Sequence, residues 1–222
     1  FSGFMAGFKF YNTGSTSGMC MTANTVIEHY MKGRIGEKIS ANTMTTYSLE
    51  PDSTYGDTVF TDSSQNAAVI TNDGGVYHHI DDNRTANTAL YFDGNSYING
   101  LSDSTTRIGK KDFTWEAWVK TDSVHTNGVW FSHWDSSASP AGSNAIRFGI
   151  APRMWVEAKV GGTGFELQAD STVIFPNFVW VHVSLNRHDG RVYMTQDGVV
   201  IANSPTNPNL DYTSYVNTVD EE

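Results

Sequence analysis

Three features of this 222-residue sequence predict an all-β fold, a sandwich or barrel of antiparallel strands. From Thr45 onward, short aromatic and β-branched runs alternate with Ser/Asn/Asp/Gly clusters. Their spacing of roughly 8–12 residues is the rhythm of short strands and turns. In Phe113–Lys120, the residues Phe113, Trp115, Ala117 and Val119 alternate with Thr114, Glu116, Trp118 and Lys120. Period-two alternation marks a strand with one buried face. Asp197-Gly198 lies between Tyr193–Gln196 and Val199–Ala202, where it predicts a tight hairpin with positive φ at both turn centres.

Composition bounds the function. At 39% hydrophobic and 13% aromatic, the chain can build a sizeable core. A net charge of −10 with only 14 Lys and Arg argues against a grip on nucleic acid, which needs clustered cations. The nearest basic patch, Arg107–Lys111, reads as an exposed loop before a strand. A single cysteine, Cys20, excludes an internal disulfide and a cysteine-based zinc site. No apolar run approaches the ~20 residues of a membrane-spanning helix. No signal peptide is legible, and a chain that begins at Phe1 leaves export open.

Taken in order, Phe1–Tyr11 (FSGFMAGFKFY) is an apolar, Gly-rich arm, since Gly3 and Gly7 disfavour a helix. It reads either as an edge strand or as an attachment arm whose Phe4, Phe8 and Phe10 contact an assembly. Asn12–Gly18 is a linker by composition. A helix is expected near 23–41, where Val26, Ile27, Tyr30, Met31 and Ile35 recur at helical spacing; Gly33 and Gly36 weaken its second half. Gly33–Lys38 lacks the spacing and preceding strand of a phosphate loop. Strands are expected at Thr58–Thr61, Ala67–Thr71, Gly75–Ile80, Ala89–Phe92, Phe113–Lys120, Gly128–His133, Ala145–Ala151, Met154–Val160, Gly164–Ala169, Val179–Arg187, Arg191–Gln196 and Val199–Asn203. The last three should form an antiparallel meander, turning at His188–Gly190 and Asp197-Gly198. Tyr212–Val219 could form a final strand.

Ala89-Leu90-Tyr91-Phe92-Asp93-Gly94, Tyr97-Ile98 and Asp112–Lys120 (DFTWEAWVK) occur in one order with Trp180–Ser184 (WVHVS), Asp189-Gly190, Val192-Tyr193 and Asp197-Gly198. With Phe60–Ser64 and Asn66 upstream, this text resembles the laminin-G-like jelly roll of the concanavalin-A-like lectin/glucanase superfamily. Gln65 stands where that pattern has Gly, and its usual closing strand has no clear counterpart in Tyr212–Glu222. The resemblance covers about residues 46–204. It implies a two-sheet antiparallel jelly-roll sandwich at 46–222, preceded by an N-terminal segment at 1–45. It also implies a module of virion or secreted bacterial proteins.

The glucanases of that superfamily carry E-x-D-x-x-E on one strand, and no such text exists here, so no catalytic residues are assigned. Glu116 has Thr114 and Trp118 as its same-face neighbours. His182 reads as a structural hydrogen-bonding residue. His78-His79-x-Asp81-Asp82 is the densest set of metal-ligand types, but adjacent strand residues point to opposite faces, and a surface loop is the plainer reading. No cofactor is expected; calcium is compatible with the resemblance, with Asp62 and Asn66 or Asp81 and Asp82 as oxygen ligands. Sugar binding needs an aromatic platform with polar groups beside it. His133, Trp134 and Asp135 offer that at a strand end, with Trp155 second. The expected function is a non-enzymatic adhesion or carbohydrate-binding module, displayed extracellularly or on a phage virion as tail fibre or capsid decoration. Its partners would be a surface glycan or other assembly proteins. The alternatives are a cement protein without glycan binding and a secreted bacterial glycan-binding module of a larger chain.

Overall fold

In the computed structural model, residues 2–12, 45–49, 54–64, 66–80, 88–100, 113–122, 128–133, 145–160, 163–188 and 191–204 are described. The described elements are all strands: β1 (Ser2–Asn12), β2 (Thr45–Leu49), β3 (Ile70–Asp73), β4 (Tyr77–His79), β5 (Ala89–Asp93), β6 (Tyr97–Gly100), β7 (Phe113–Thr121), β8 (Gly128–His133), β9 (Ala145–Ile150), β10 (Met154–Val160), β11 (Thr163–Gln168), β12 (Val181–His188), β13 (Arg191–Gln196) and β14 (Val199–Asn203). The larger sheet runs β14-β13-β12-β7-β1-β5-β4, with β2 also paired to β1; the smaller sheet runs β11-β10-β9-β8, and β3 pairs with β6. Every pairing is antiparallel.

The two larger sheets share one core. From β7, Phe113, Trp115, Ala117 and Val119 enter it, as the alternation predicts. They meet Val181, Val183 and Leu185 of β12 and Phe148, Ile150, Met154 and Val156 of the smaller sheet. Trp115 packs edge-on to Phe148, with ring centroids 5.2 Å apart. Trp118 points to the other face, where it clusters with Ala6 and Ala89. The Asp197-Gly198 turn has φ of 50° and 77°, which gives the primed-type turn that the dipeptide predicts. The β12–β13–β14 meander is as expected.

The N-terminal stretch corrects the expected division at residue 45. Ser2–Asn12 is neither an edge strand nor an appendage: it lies inside the larger sheet, paired along one side to β7. Its other side is shared, Ser2–Met5 pairing with β5 and Phe8–Tyr11 with β2. The glycines that argue against a helix serve this placement. At Gly3, with φ 142°, a Cβ would lie 2.3 Å from the Lys120 carbonyl oxygen, so only glycine lets the strands approach. Gly7, with φ 57°, sits where the register with β7 slips between Ala6 and Lys9. That is a bulge of the kind that needs a left-handed glycine. The bulge turns Phe8 into the core, edge-on to Trp115 at 5.7 Å. Phe8 is therefore partly buried against the core. The Phe10 backbone pairs with Trp115 and Tyr47.

The expected strand at Thr58–Thr61 is absent; that segment joins the sheet through one bridge between Leu49 and Asp62, with Phe60 buried. The expected strand at Gly75–Ile80 is β4, so His78 and His79 lie on a strand and not in the surface loop also considered for them. The expected helix near 23–41 and the expected strand Tyr212–Val219 lie outside the described residues.

Candidate functional site

The outer face of the larger sheet carries a row of large side chains set by register alone. Lys120 of β7 stands opposite Phe4 of β1, Phe4 opposite Tyr91 of β5, and Tyr91 opposite Tyr77 of β4. Neighbouring strands lie ~4.8 Å apart, so such a row is continuous. Ring centroids are 5.1 Å apart for Phe4–Tyr91 and 5.3 Å for Tyr77–Tyr91. His79, two residues along β4 and on the same face, lies 5.2 Å from Phe4, 5.7 Å from Tyr77 and 6.0 Å from Tyr91. Tyr55 extends the group from a turn between β2 and β3, at 5.4 Å from His79 and 6.1 Å from Tyr77. That turn is tied to β4 by two backbone bonds, from Gly56 N–H to the His78 carbonyl and from His78 N–H to the Asp57 carbonyl. Tyr55 is 54% exposed, and Phe4, Tyr77, His79 and Tyr91 are half-buried. The result is a five-ring platform at one edge of the sheet.

Polar groups flank it. The Ser2 hydroxyl donates to Asp122 Oδ2 at 2.8 Å, and the Tyr91 phenol donates to the same oxygen at 3.3 Å. Burial, and then the Asp122 carboxylate, push the Tyr91 phenol above its ordinary range, so it stays protonated and donating at neutral pH. The Lys120 ammonium lies 5.6 Å from the Phe4 ring centroid, a cation–π contact. On the opposite side of β4, His78 is buried against Phe60 and contacts the Val59 carbonyl through Nε2 at 3.0 Å and the Thr88 hydroxyl through Nδ1 at 3.1 Å. The two histidines thus point to opposite faces.

Further along the same outer face runs a second, buried polar stripe. Glu116 stands opposite Lys9 on one side and Ser184 on the other, and His182 Nε2 lies 3.4 Å from Glu116 Oε2. Thr114 donates to Asn186 at 2.9 Å, Asn186 donates to Ser184 at 2.7 Å, and Ser184 meets Thr195 at 2.7 Å. All seven side chains named here, from Lys9 to Thr195, are at most 1% exposed. The cross-strand neighbours of Glu116 are a lysine and a serine, so the register sets no second carboxylate beside it. The hydrogen bonds among Thr114, Asn186, Ser184 and Thr195 tie β7, β12 and β13 together across the stripe.

The residues singled out in the sequence are scattered. Trp155 lies on the outer face of the smaller sheet but is only 7% exposed; the Arg147 guanidinium lies 5.3 Å from its ring centroid and is itself held by Glu157 at 2.8 Å. Its ring is covered and offers no platform. The His133 backbone ends β8, while its side chain, Trp134 and Asp135 lie outside the described residues. Asp62 is 5% exposed and accepts from Ser64 N–H, Ser64 Oγ and Ala68 N–H, so both its oxygens are engaged in holding a turn. Asn66 is exposed, and its N–H is bonded to Ser64 Oγ. Asp81 and Asp82 lie outside the described residues. Among the described residues no group of three or more His, Cys, Asp or Glu could hold a metal ion.

The platform was missed because its members are far apart in sequence. The available signal was the alternation Tyr77-x-His79 read together with Tyr91, which becomes a surface only once β1 is placed between β5 and β7. No curated protein matches the chain. Residues 92–219, more than half of the chain, match the Laminin_G_3 family model of the concanavalin A-like lectin/glucanases superfamily, and with the two-sheet antiparallel sandwich this makes the chain a member of that laminin-G-like family.

Proposed function

We propose that the protein is a non-enzymatic carbohydrate-binding module and that the sugar lies on the platform of Tyr55, Tyr77, His79, Tyr91 and Phe4. The observation that carries this reading is the contiguous set of exposed and half-buried rings on a rigid sheet face. A sugar ring has one face of C–H groups and a rim of hydroxyls. The C–H face gains by leaving water against aromatic rings, and the rim needs fixed donors and acceptors nearby. Tyr91, Ser2 and Asp122 supply those at the platform's edge. A non-catalytic role is supported by the burial of Glu116, whose register partners are Lys9 and Ser184 and not a second carboxylate. Family membership is in keeping with glycan binding, although Phe4, Tyr55, Tyr77, His79 and Tyr91 precede the matched residues and are argued from geometry alone.

Display outside the cell or on a virion belongs to the same proposal. Its support is compositional: one cysteine and a Ser/Thr/Asn-rich chain. The attachment arm that also favoured a virion appendage is an internal strand.

A glycan array probed with the full chain and with Tyr77→Ala and Trp134→Ala tests the reading. Binding by the parent, lost in Tyr77→Ala and kept in Trp134→Ala, is expected. Loss in Trp134→Ala alone would move the site to the end of β8. No binding to any glycan would favour the cement reading.

A further inference from the structure

We infer that the platform takes one soluble oligosaccharide chain, several sugar units long and laid across the strands, and neither a single terminal sugar nor the flat face of a crystalline polysaccharide; the inference rests on the glycan-binding reading above. The rings succeed one another from strand to strand. Centroids are 5.1 Å apart from Phe4 to Tyr91, 5.3 Å from Tyr91 to Tyr77 and 6.1 Å from Tyr77 to Tyr55, which lies beyond the edge of β4. A pyranose with its bridging oxygen advances an extended chain by about one strand spacing, ~4.8 Å. One sugar therefore covers about one ring of the row, and only a chain of about three or four covers it all.

A site for one terminal sugar is a cup whose walls gather round a point. The point round which these rings gather is filled by His79. Its ring centroid lies 5.2 Å from Phe4, 5.4 Å from Tyr55, 5.7 Å from Tyr77 and 6.0 Å from Tyr91. The flat face of a crystal needs coplanar rings, because its chains cannot turn to meet them. Here Phe4 and Tyr91 are inclined by 55°, Tyr91 and Tyr77 by 48°, and Tyr77 and Tyr55 by 88°. A free chain rotates about its glycosidic bonds, so successive sugars can each settle on a differently inclined ring.

Polar groups anchor the chain at one step of the row. Phe4 pairs with Tyr91 and Ser2 with Asp93, so Ser2 and the Asp122 carboxylate it bonds lie beside the Phe4–Tyr91 step. The Ser2 and Tyr91 hydroxyls both donate to Asp122 Oδ2, at 2.8 and 3.3 Å, which leaves their lone pairs to accept from sugar hydroxyls. Tyr55, 54% exposed at the far end of the row, adds apolar contact for a sugar several units away. Tyr91 therefore holds the chain in place, and Tyr55 reads its length.

The test is calorimetric titration of the full chain with cello-, xylo-, laminari- and malto-oligosaccharides, each from monosaccharide to hexasaccharide, beside pull-down on crystalline cellulose and chitin. In a series that binds, affinity is expected to rise about tenfold or more from monosaccharide to tetrasaccharide and then level off. The crystalline polymers should leave the protein in solution. Tyr55→Ala should level off one residue earlier, and Tyr55→Phe, which keeps the ring, should follow the parent, both with thermal transitions close to the parent's. A monosaccharide bound as tightly as the hexasaccharide, with binding lost in Tyr77→Ala, overturns the chain reading and leaves the glycan site standing. The same holds for retention on a crystalline polymer that Tyr77→Ala abolishes, or for a length profile that Tyr55→Ala does not change. Absence of binding to every probe, or binding that Tyr77→Ala leaves intact, removes the site and the chain reading together.

Discussion

Lys9 is the residue whose environment most exceeds what composition suggests. It is fully buried on the outer face of β1, opposite Glu116, with His182 beyond. A buried charge is tolerable only with its partners in place, and removing one partner costs about 3–5 kcal/mol. Lys9→Met should therefore destabilise the protein by about that amount, while the double change Lys9→Met, Glu116→Gln should recover much of the loss. Denaturant unfolding of the two variants checks this, and additive losses would sink the coupling. Tyr91 offers a second residue-scale test. Its phenol is raised by burial and by Asp122, so the folded state holds the proton more firmly than the unfolded chain. The associated stability is complete below about pH 10 and is lost as pH rises through the folded value. Tyr91→Phe should flatten the alkaline fall in stability relative to the parent while leaving the neutral-pH transition little changed; equal slopes for both proteins would refute it.

At the scale of the element, β1 decides how the sheet is built. It joins β7 to both β5 and β2, and two glycines make that possible. Gly3→Ala puts a Cβ 2.3 Å from the Lys120 carbonyl oxygen at a φ that side chains rarely adopt, so a loss of about 2 kcal/mol or more is expected in thermal or denaturant unfolding. Tolerance of Gly3→Ala at parental stability would mean that β1 is not seated as described. Except for β6, the strands from Ala89 on were legible in the sequence through local pattern: Phe113–Thr121 alternates, and Asp197-Gly198 turns. β1 was not legible as an inner strand. Its pattern is broken by the Gly7 bulge, which puts Phe8 inward and Lys9 outward against simple alternation. The platform inherits that difficulty. Tyr77 and Tyr91 are fourteen residues apart, and Phe4 joins them only through pairing of β1 with β5. Register between distant strands is not written in local periodicity, because period two tells which face a side chain takes and not which strand lies beside it. The same limit explains Trp155, whose sequence context shows an aromatic on a strand but not the Arg147 laid across it.

For the whole molecule, Ser2–Asn12 lies inside the larger sheet, so that stretch is part of the sandwich and not an attachment piece beside it. Deleting residues 1–12 would leave β7 and β5 without the strand between them and expose Trp115 and Trp118 at new edges. The deletion also removes Met5 and Phe8 from the core and Phe4 from the platform. Losses of several buried side chains of this size, at about 2–5 kcal/mol each, exceed the total stability of most domains. The fragment 13–222 is therefore expected to lack a cooperative thermal transition and to aggregate, where the full chain melts cooperatively. Adding back a peptide of residues 1–12 should restore the transition in proportion to its concentration, because binding to the folded form alone shifts stability by mass action. A variant peptide carrying Gly3→Ala and Gly7→Ala should fail to do so, which separates strand insertion from a general effect of an apolar peptide. A fragment 13–222 as stable as the full chain would instead return the N-terminal stretch to the role of a free arm, and the platform built on Phe4 would fall with it.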